Sequence, residues 1–261
     1  MIKIVSIKIK QKLLLGLIAI LFPVYAFSLP AWYTQTPWHP IFSLGAGASI
    51  SSNVGESKNF PIQNPMTDEF YNYSANHSSQ TSPFIDLYLA AEWNLDPYWM
   101  FQGGVAYNQT SPFAAKGTFL QGADIESSDS YTYQYGILSR RLLLDGKLLY
   151  LIKEHFHAYV LVGFGAAFND AYSYSTDVPP FLTFTRTYSN HSTTAFSYEM
   201  GGGVDADITD QLRLGIGYRF ADLGKAQLGS ATIDSTSVSG TLSQSHLYTN
   251  ELLAQMTWLF C

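Results

Sequence analysis

Leu212-Arg213-Leu214-Gly215-Ile216-Gly217-Tyr218-Arg219-Phe220 alternates apolar and polar or small residues without a break. A period of two is the mark of a strand whose two faces meet different surroundings. Leu212, Leu214, Ile216, Tyr218 and Phe220 share one face, and Arg213, Gly215, Gly217 and Arg219 share the other. Such a stretch cannot be a helix, because helical spacing would mix the two classes.

The pattern recurs outward in both directions and predicts eight strands. They are Ile41 to Ile50, Pro83 to Asn94, Tyr98 to Asn108, Tyr131 to Tyr150, Phe156 to Phe168, Phe196 to Ile208, Leu212 to Phe220, and a last one ending at Phe260. In the fourth, Arg140 falls on the apolar parity, which calls for a bulge or a near-surface position. Connections are short near Leu95-Asp96-Pro97, Leu151 to His155 and Thr209-Asp210, and long over roughly 51–82, 109–130, 170–194 and 222–246. Short turns alternating with long polar loops fit an all-β, eight-stranded, antiparallel up-and-down transmembrane β-barrel.

Charged residues make up 13% of the 261 residues and aromatics 15%, against about 25% charge in soluble domains. Mean hydropathy is +0.03, which excludes a helical membrane protein but suits a wall that shows lipid every second side chain. Net charge is −6 with no basic cluster past the first segment, so no nucleic-acid footprint is present. The single cysteine, Cys261, excludes an internal disulfide and a multi-cysteine metal site. No cofactor motif is found; Gly201-Gly202-Gly203 lacks the strand-to-helix context of a phosphate loop.

Residues 1–28 read as a cleaved signal peptide, with 29–261 as the mature barrel. Lys3, Lys8, Lys10 and Lys12 precede the apolar run Leu13 to Val24, and Ala26-Phe27-Ser28 offers the cut. The alternative, a retained anchor, needs about 20 apolar residues, more than this run supplies. No cysteine lies near the cut to support a lipid anchor.

Mid-strand charges fall on the parity opposite the rings: Asp86, Glu92, Arg141, Asp145, Lys147, Glu199, Asp205, Asp207, Arg213, Arg219 and Glu251. Mixed signs at this density predict a polar network filling the lumen, which in a ring of eight strands is just wide enough for side chains. Facing lipid at the midplane, each Lys or Arg would cost roughly 2–4 kcal/mol. A soluble lipocalin-like barrel shares the alternation with its faces exchanged. Aromatics favour the membrane: Trp93, Trp99, Tyr150, Phe156, Trp258 and Phe260 gather near the short turns, and Tyr107, Phe168, Phe196, Tyr198, Tyr218 and Phe220 near the long loops.

Two segments carry a family resemblance. Gly217-Tyr218-Arg219-Phe220-Ala221-Asp222-Leu223-Gly224 and the terminal strand Leu252 to Phe260 resemble the opacity-protein and OmpA-transmembrane-domain group of eight-stranded outer-membrane barrels. The resemblance implies a bacterial outer-membrane location and makes Leu252, Met256, Trp258 and Phe260 the signal read by the barrel-assembly machinery. That signal normally ends on an aromatic residue, and here Cys261 follows Phe260. No peptidoglycan-binding domain is expected after the barrel.

The expected role is a non-enzymatic surface protein, an adhesin or antigen, whose loops contact an extracellular ligand while the barrel contacts lipid. Alternatives are a narrow pore, from the charged lumen, and a lipid-modifying enzyme. For the latter, His191-Ser192 is the candidate pair, read as lying in a loop off the strand ladder. His155 and His157 have metal-ligand spacing but no carboxylate placed to complete a set. The Tyr-, Ser- and Asn-rich loops match adaptable binding surfaces and equally any solvated loop.

Overall fold

The computed structural model describes residues 38–61, 70–123, 126, 128–179 and 184–260. The expected leader and Cys261 lie outside the described residues. In chain order the strands are β1 (Trp38–Ser51), β2 (Lys58–Phe60), β3 (Phe70–Ala75), β4 (Gln80–Asn94), β5 (Trp99–Thr110), β6 (Phe113–Gly122), β7 (Asp129–Lys153) and β8 (Phe156–Thr176). They continue as β9 (Thr187–Tyr188), β10 (His191–Thr209), β11 (Leu212–Asp222), β12 (Ala226–Gln227), β13 (Ala231–Ile233), β14 (Thr236–Val238), β15 (Ser243–Gln244) and β16 (Tyr248–Leu259).

Eight of them form a ring in the order β1, β4, β5, β7, β8, β10, β11, β16, every neighbour antiparallel. β16 closes on β1 from Ile41↔Leu259 to Ile50↔Asn250. Closure matters because hydrocarbon offers no partner to an unpaired N–H or C=O. The turns at one end are tight and locally capped. Asp96 Oδ1 accepts the amides of Tyr98 and Trp99 at 2.7 and 2.9 Å, an Asx turn. Thr209 Oγ1 accepts the amide of Gln211 at 3.2 Å.

At the other end the strands outrun the sequence reading. β7 has 25 residues and β8 has 21, whereas about 9–11 residues cross a bilayer. The extension of β7 pairs with β6 from Phe113↔Ile137 to Gln121↔Asp129, β6 pairs with β3, and β3 with β2. The long connections, read from sequence as loops, therefore contain strands. In β6, Phe113, Ala115 and Phe119 are buried while Lys116 and Thr118 face out, so its alternation was present in the sequence. Gly117 on its inward parity and Ala114 and Leu120 on its outward one blur it.

These connections pack around one shared core. The Tyr73 ring stacks on Phe119 at 4.9 Å and meets Tyr133 edge-on at 5.1 Å. Tyr174 meets Tyr188 edge-on at 4.8 Å. Val54, Ile137, Leu223, Leu228, Leu242 and Leu247 fill the space between them, all fully buried. Each such side chain contributes roughly 1.5–3 kcal/mol of transfer free energy toward ordering the cap. Ser173 makes the geometry work. Its φ of 56° sits at a register shift between Gln134 and Gly136 of β7, a bulge that turns Tyr174 inward.

Candidate functional site

The lumen holds the charged parity in stacked layers. Nearest the cap, Arg141 Nη1 donates to Glu199 at 2.9 Å and Nη2 to Glu251 at 3.1 Å. Arg219 donates to Asp86 at 2.5 Å, to Glu199 at 3.0 Å, and also to Glu251 and Asn108. Next, Lys147 Nζ donates to Asp205 at 2.6 Å and lies 3.8 Å above the Tyr159 ring, while Gln255 donates to the other Asp205 oxygen at 2.9 Å. Nearest the short turns, Arg213 bridges Glu92 and Asp207, each at 2.7 Å, and Gln102 donates to Glu92 at 2.6 Å. Two planar guanidiniums with three carboxylates in the cap-side layer use the geometry in which arginine bonds best.

Asp145 is the exception among the expected network residues. It is buried but joins no ion pair among the described residues, and its Oδ1 has no hydrogen-bond partner. The Tyr88 hydroxyl donates to its backbone carbonyl at 3.3 Å instead. A cavity of about 30 Å³, room for a water molecule, lies beside it and is also lined by Lys147, Tyr159 and Arg219. Glycines make room for these groups: a Cβ on Gly163 would stand 2.0 Å from Asp145 Oδ1, and one on Gly215 would stand 2.0 Å from Asp205 Oδ1. The lumen also has an apolar part, Ile41, Ala106 and Leu143 packed on Tyr88, so its filling is not wholly ionic.

Outside, the apolar parity is exposed around the whole ring. Leu89, Val162 and Ile216 are more than 60% accessible, which no water-facing sheet would leave bare. Toward the short turns, Phe42 stacks on Trp258 at 5.6 Å, Trp93 on Phe101 at 5.8 Å, and Trp99 tilts against Tyr150 at 4.8 Å. Toward the cap, Phe196, Tyr198, Phe220 and Tyr248 form a chain of ring contacts. Of the terminal-strand residues, Leu252 faces out, Met256 and Trp258 are half-buried opposite Leu44 and Phe42, and the Phe260 amide donates to the Pro40 carbonyl at 3.1 Å.

Arg140 sits without a bulge on the outward face, in register between Gln109 and Phe168, and pairs with Asp170. This is the near-surface position, level with the cap-side aromatics. His191 and Ser192 belong to β10, paired with Ala171 and Asp170, and not to an off-ladder loop. Adjacent strand residues point to opposite faces, so this histidine cannot serve this serine as base. Ser192 donates to Asp170 at 2.5 Å instead. His155 lies in a turn, whereas His157 is buried in the lumen with Nε2 2.7 Å from Asp207, so a carboxylate is in place after all. Among the described residues no group of three metal-ligating side chains forms.

Arg186 stands outside every alternating stretch of the sequence. It is buried in the cap, its guanidinium 4.0 Å from the Phe60 ring centre, and it donates to the carbonyls of Ser239 and Gly240 at 2.6 and 3.0 Å. No periodicity announces it, because the segments it joins are far apart in the chain. Gln102, Asn108 and Gln255 were legible in principle, since they occupy the charged parity of their strands.

Solved structures similar to the chain include the outer membrane protein OprG of Pseudomonas aeruginosa, with 9% identity, 84% of this chain and 95% of that chain covered, and a TM-score of 0.46. Neisserial surface protein A gives 13% identity, 86% and 98% coverage, and a TM-score of 0.35. The attachment invasion locus protein Ail of Yersinia pestis gives 11% identity, 86% and 100% coverage, and a TM-score of 0.35. No curated protein matches. The model of the outer membrane protein beta-barrel domain family matches residues 70–245, more than half of the chain. With a closed eight-stranded ring, an exposed apolar wall and this match, the chain belongs to the outer membrane protein beta-barrel family and is a protein of the bacterial outer membrane.

Proposed function

We propose that this protein is a non-enzymatic surface-recognition protein, an adhesin or surface antigen, in which the barrel is an anchor and the cap is the working part. One observation carries the reading: the long connections share a single aromatic and aliphatic core with the strand extensions. Loops that only closed the barrel would need no such core. A rigid platform lowers the ordering cost of binding, which is what a recognition surface requires. The cap faces outward, following the rule that outer-membrane barrels keep short turns on the periplasmic side. Lipid covers the exposed apolar wall, and the assembly machinery reads the last strand.

The lumen layers favour this reading over a pore. Ion pairs cross the interior at three levels, and the cavity between them holds about 30 Å³. Replacing the four cap connections by short turns tests the proposal in the intact membrane. The expected result is a folded, heat-modifiable barrel that no longer confers attachment to cells or surfaces. Unchanged attachment would overturn it. Planar-bilayer recording supplies the control, with no conductance steps expected.

A further inference from the structure

The cap carries a trough on its outer face. It has a volume of about 620 Å³ and runs across β3, β6, β7 and β8. The registers define it. Ala75, Gly117, Tyr133 and Thr176 lie side by side across the four strands and form its floor. One wall is the row Lys116, Gln134 and Ser175; the other is the row Ser74, Thr118, Thr132 and Asp177. Three inter-strand spacings make it about 14 Å long, and two residues of rise separate the walls by about 7 Å.

Its chemistry is specific. Both walls are built from hydroxyls, amides, one ammonium and one carboxylate, so the trough is close to neutral. Asp177 is partly committed, since its Oδ1 accepts the Thr132 amide at 2.6 Å. Among the described residues, no hydrogen bond or ion pair occupies the side chains of Lys116, Thr118 or Gln134, all of which are exposed. Between β3 and β8 the four strands are paired with one another, so a ligand lying on the floor meets side chains rather than an open strand edge. Recognition must come from side-chain donors and acceptors. The floor is held still from behind by Tyr73, Phe119 and Tyr174, which pack on Tyr133 and its neighbours. A straight trough of near-neutral charge, with hydroxyls on both walls and the Gln134 amide among them, fits a ligand that is linear and rich in hydroxyls.

We propose that this trough binds a linear oligosaccharide chain. The inference rests on the surface-recognition reading and names the ligand class. From Arg140, at the level of the cap-side aromatics, to Gln134 is six residues of β7, so the trough stands about 20 Å further along that strand. It can therefore meet saccharide chains from a foreign surface or from lipopolysaccharide of its own membrane.

The test uses the full chain in detergent micelles. Immobilised chitooligosaccharides, maltooligosaccharides, hyaluronan oligosaccharides and delipidated lipopolysaccharide chains serve as probes. Binding to at least one is expected, and whether the lipopolysaccharide chains are bound identifies the source. Gln134→Ala should weaken binding by up to about tenfold, the scale of one lost hydrogen bond. Thr118→Trp, which fills the trough from an exposed position, should abolish it while heat-modifiable mobility stays unchanged. Absence of binding by the unaltered chain, or full binding by Thr118→Trp, would overturn the inference. If attachment still depends on the cap in that case, the recognition reading survives alone; if attachment does not, both fall.

Discussion

Arg213 on β11 and Glu92 on β4 meet across the barrel interior, Nη1 to Oε2 2.7 Å apart, although β16 and β1 separate their strands around the wall. This contact ties opposite sides of the ring together. It also crosses the lumen at the short-turn end, where Asp207 and His157 extend the same cluster.

Arg213→Met should therefore strand Glu92 in the lumen. Removing one partner of a buried pair costs about 3–5 kcal/mol. Urea unfolding in micelles should show a lower midpoint. Adding Glu92→Gln should recover part of the loss, because the orphaned charge is then gone. An unchanged midpoint for Arg213→Met would exclude a structural role for the pair.

Asp145 predicts the opposite sign. Its Oδ1 lacks a partner, and an unsatisfied buried group costs about 1–3 kcal/mol. Asp145→Asn should leave stability unchanged or raise it. Glu199→Gln, which weakens bonds from Arg141 and Arg219, should lower it. Equal losses for both variants would show that Asp145 has a partner in solution.

Alkali should loosen the cap before the barrel. Burial, with Tyr188 beside it, pushes the Tyr133 phenol up to about 12. Burial moves Tyr73 and Tyr174 in the same direction. An unfolded tyrosine titrates near about 10. The folded cap thus favours the neutral phenol, and this stability is complete below about pH 10 and is lost as pH rises toward 12. Limited proteolysis across that range should cut the cap while the strands stay protected. Tyr133→Phe should shift the onset upward, and a cap equally resistant at both ends of the range would contradict the assignment.

Arg186→Met should loosen the cap by about 2–3 kcal/mol, since it removes charge-assisted bonds to two carbonyls and the cation over the Phe60 ring. Hydrogen exchange should quicken at Phe60 and around 238–240 and stay slow in β10 and β11. Uniform protection would assign Arg186 to the surface.

The sequence alone determined the wall. Hydrocarbon outside and a narrow lumen inside impose opposite demands on alternate residues, so period two marks each strand, and Glu199, Arg213 and Arg219 declare the inner face by their parity alone. The tertiary structure alone decided the pairing. Alternation says that Arg141 points inward, but which carboxylates it meets depends on strand register and tilt, which bring β7 opposite β10 and β16. It also decided the cap. Tyr73, Tyr133, Tyr174 and Tyr188 come from four separate segments, and their contacts depend on the pairing of β3, β6, β7 and β8 and on the bulge at Ser173, which turns Tyr174 inward. Burial there is set by neighbours remote in the chain, and such neighbours leave no periodic trace.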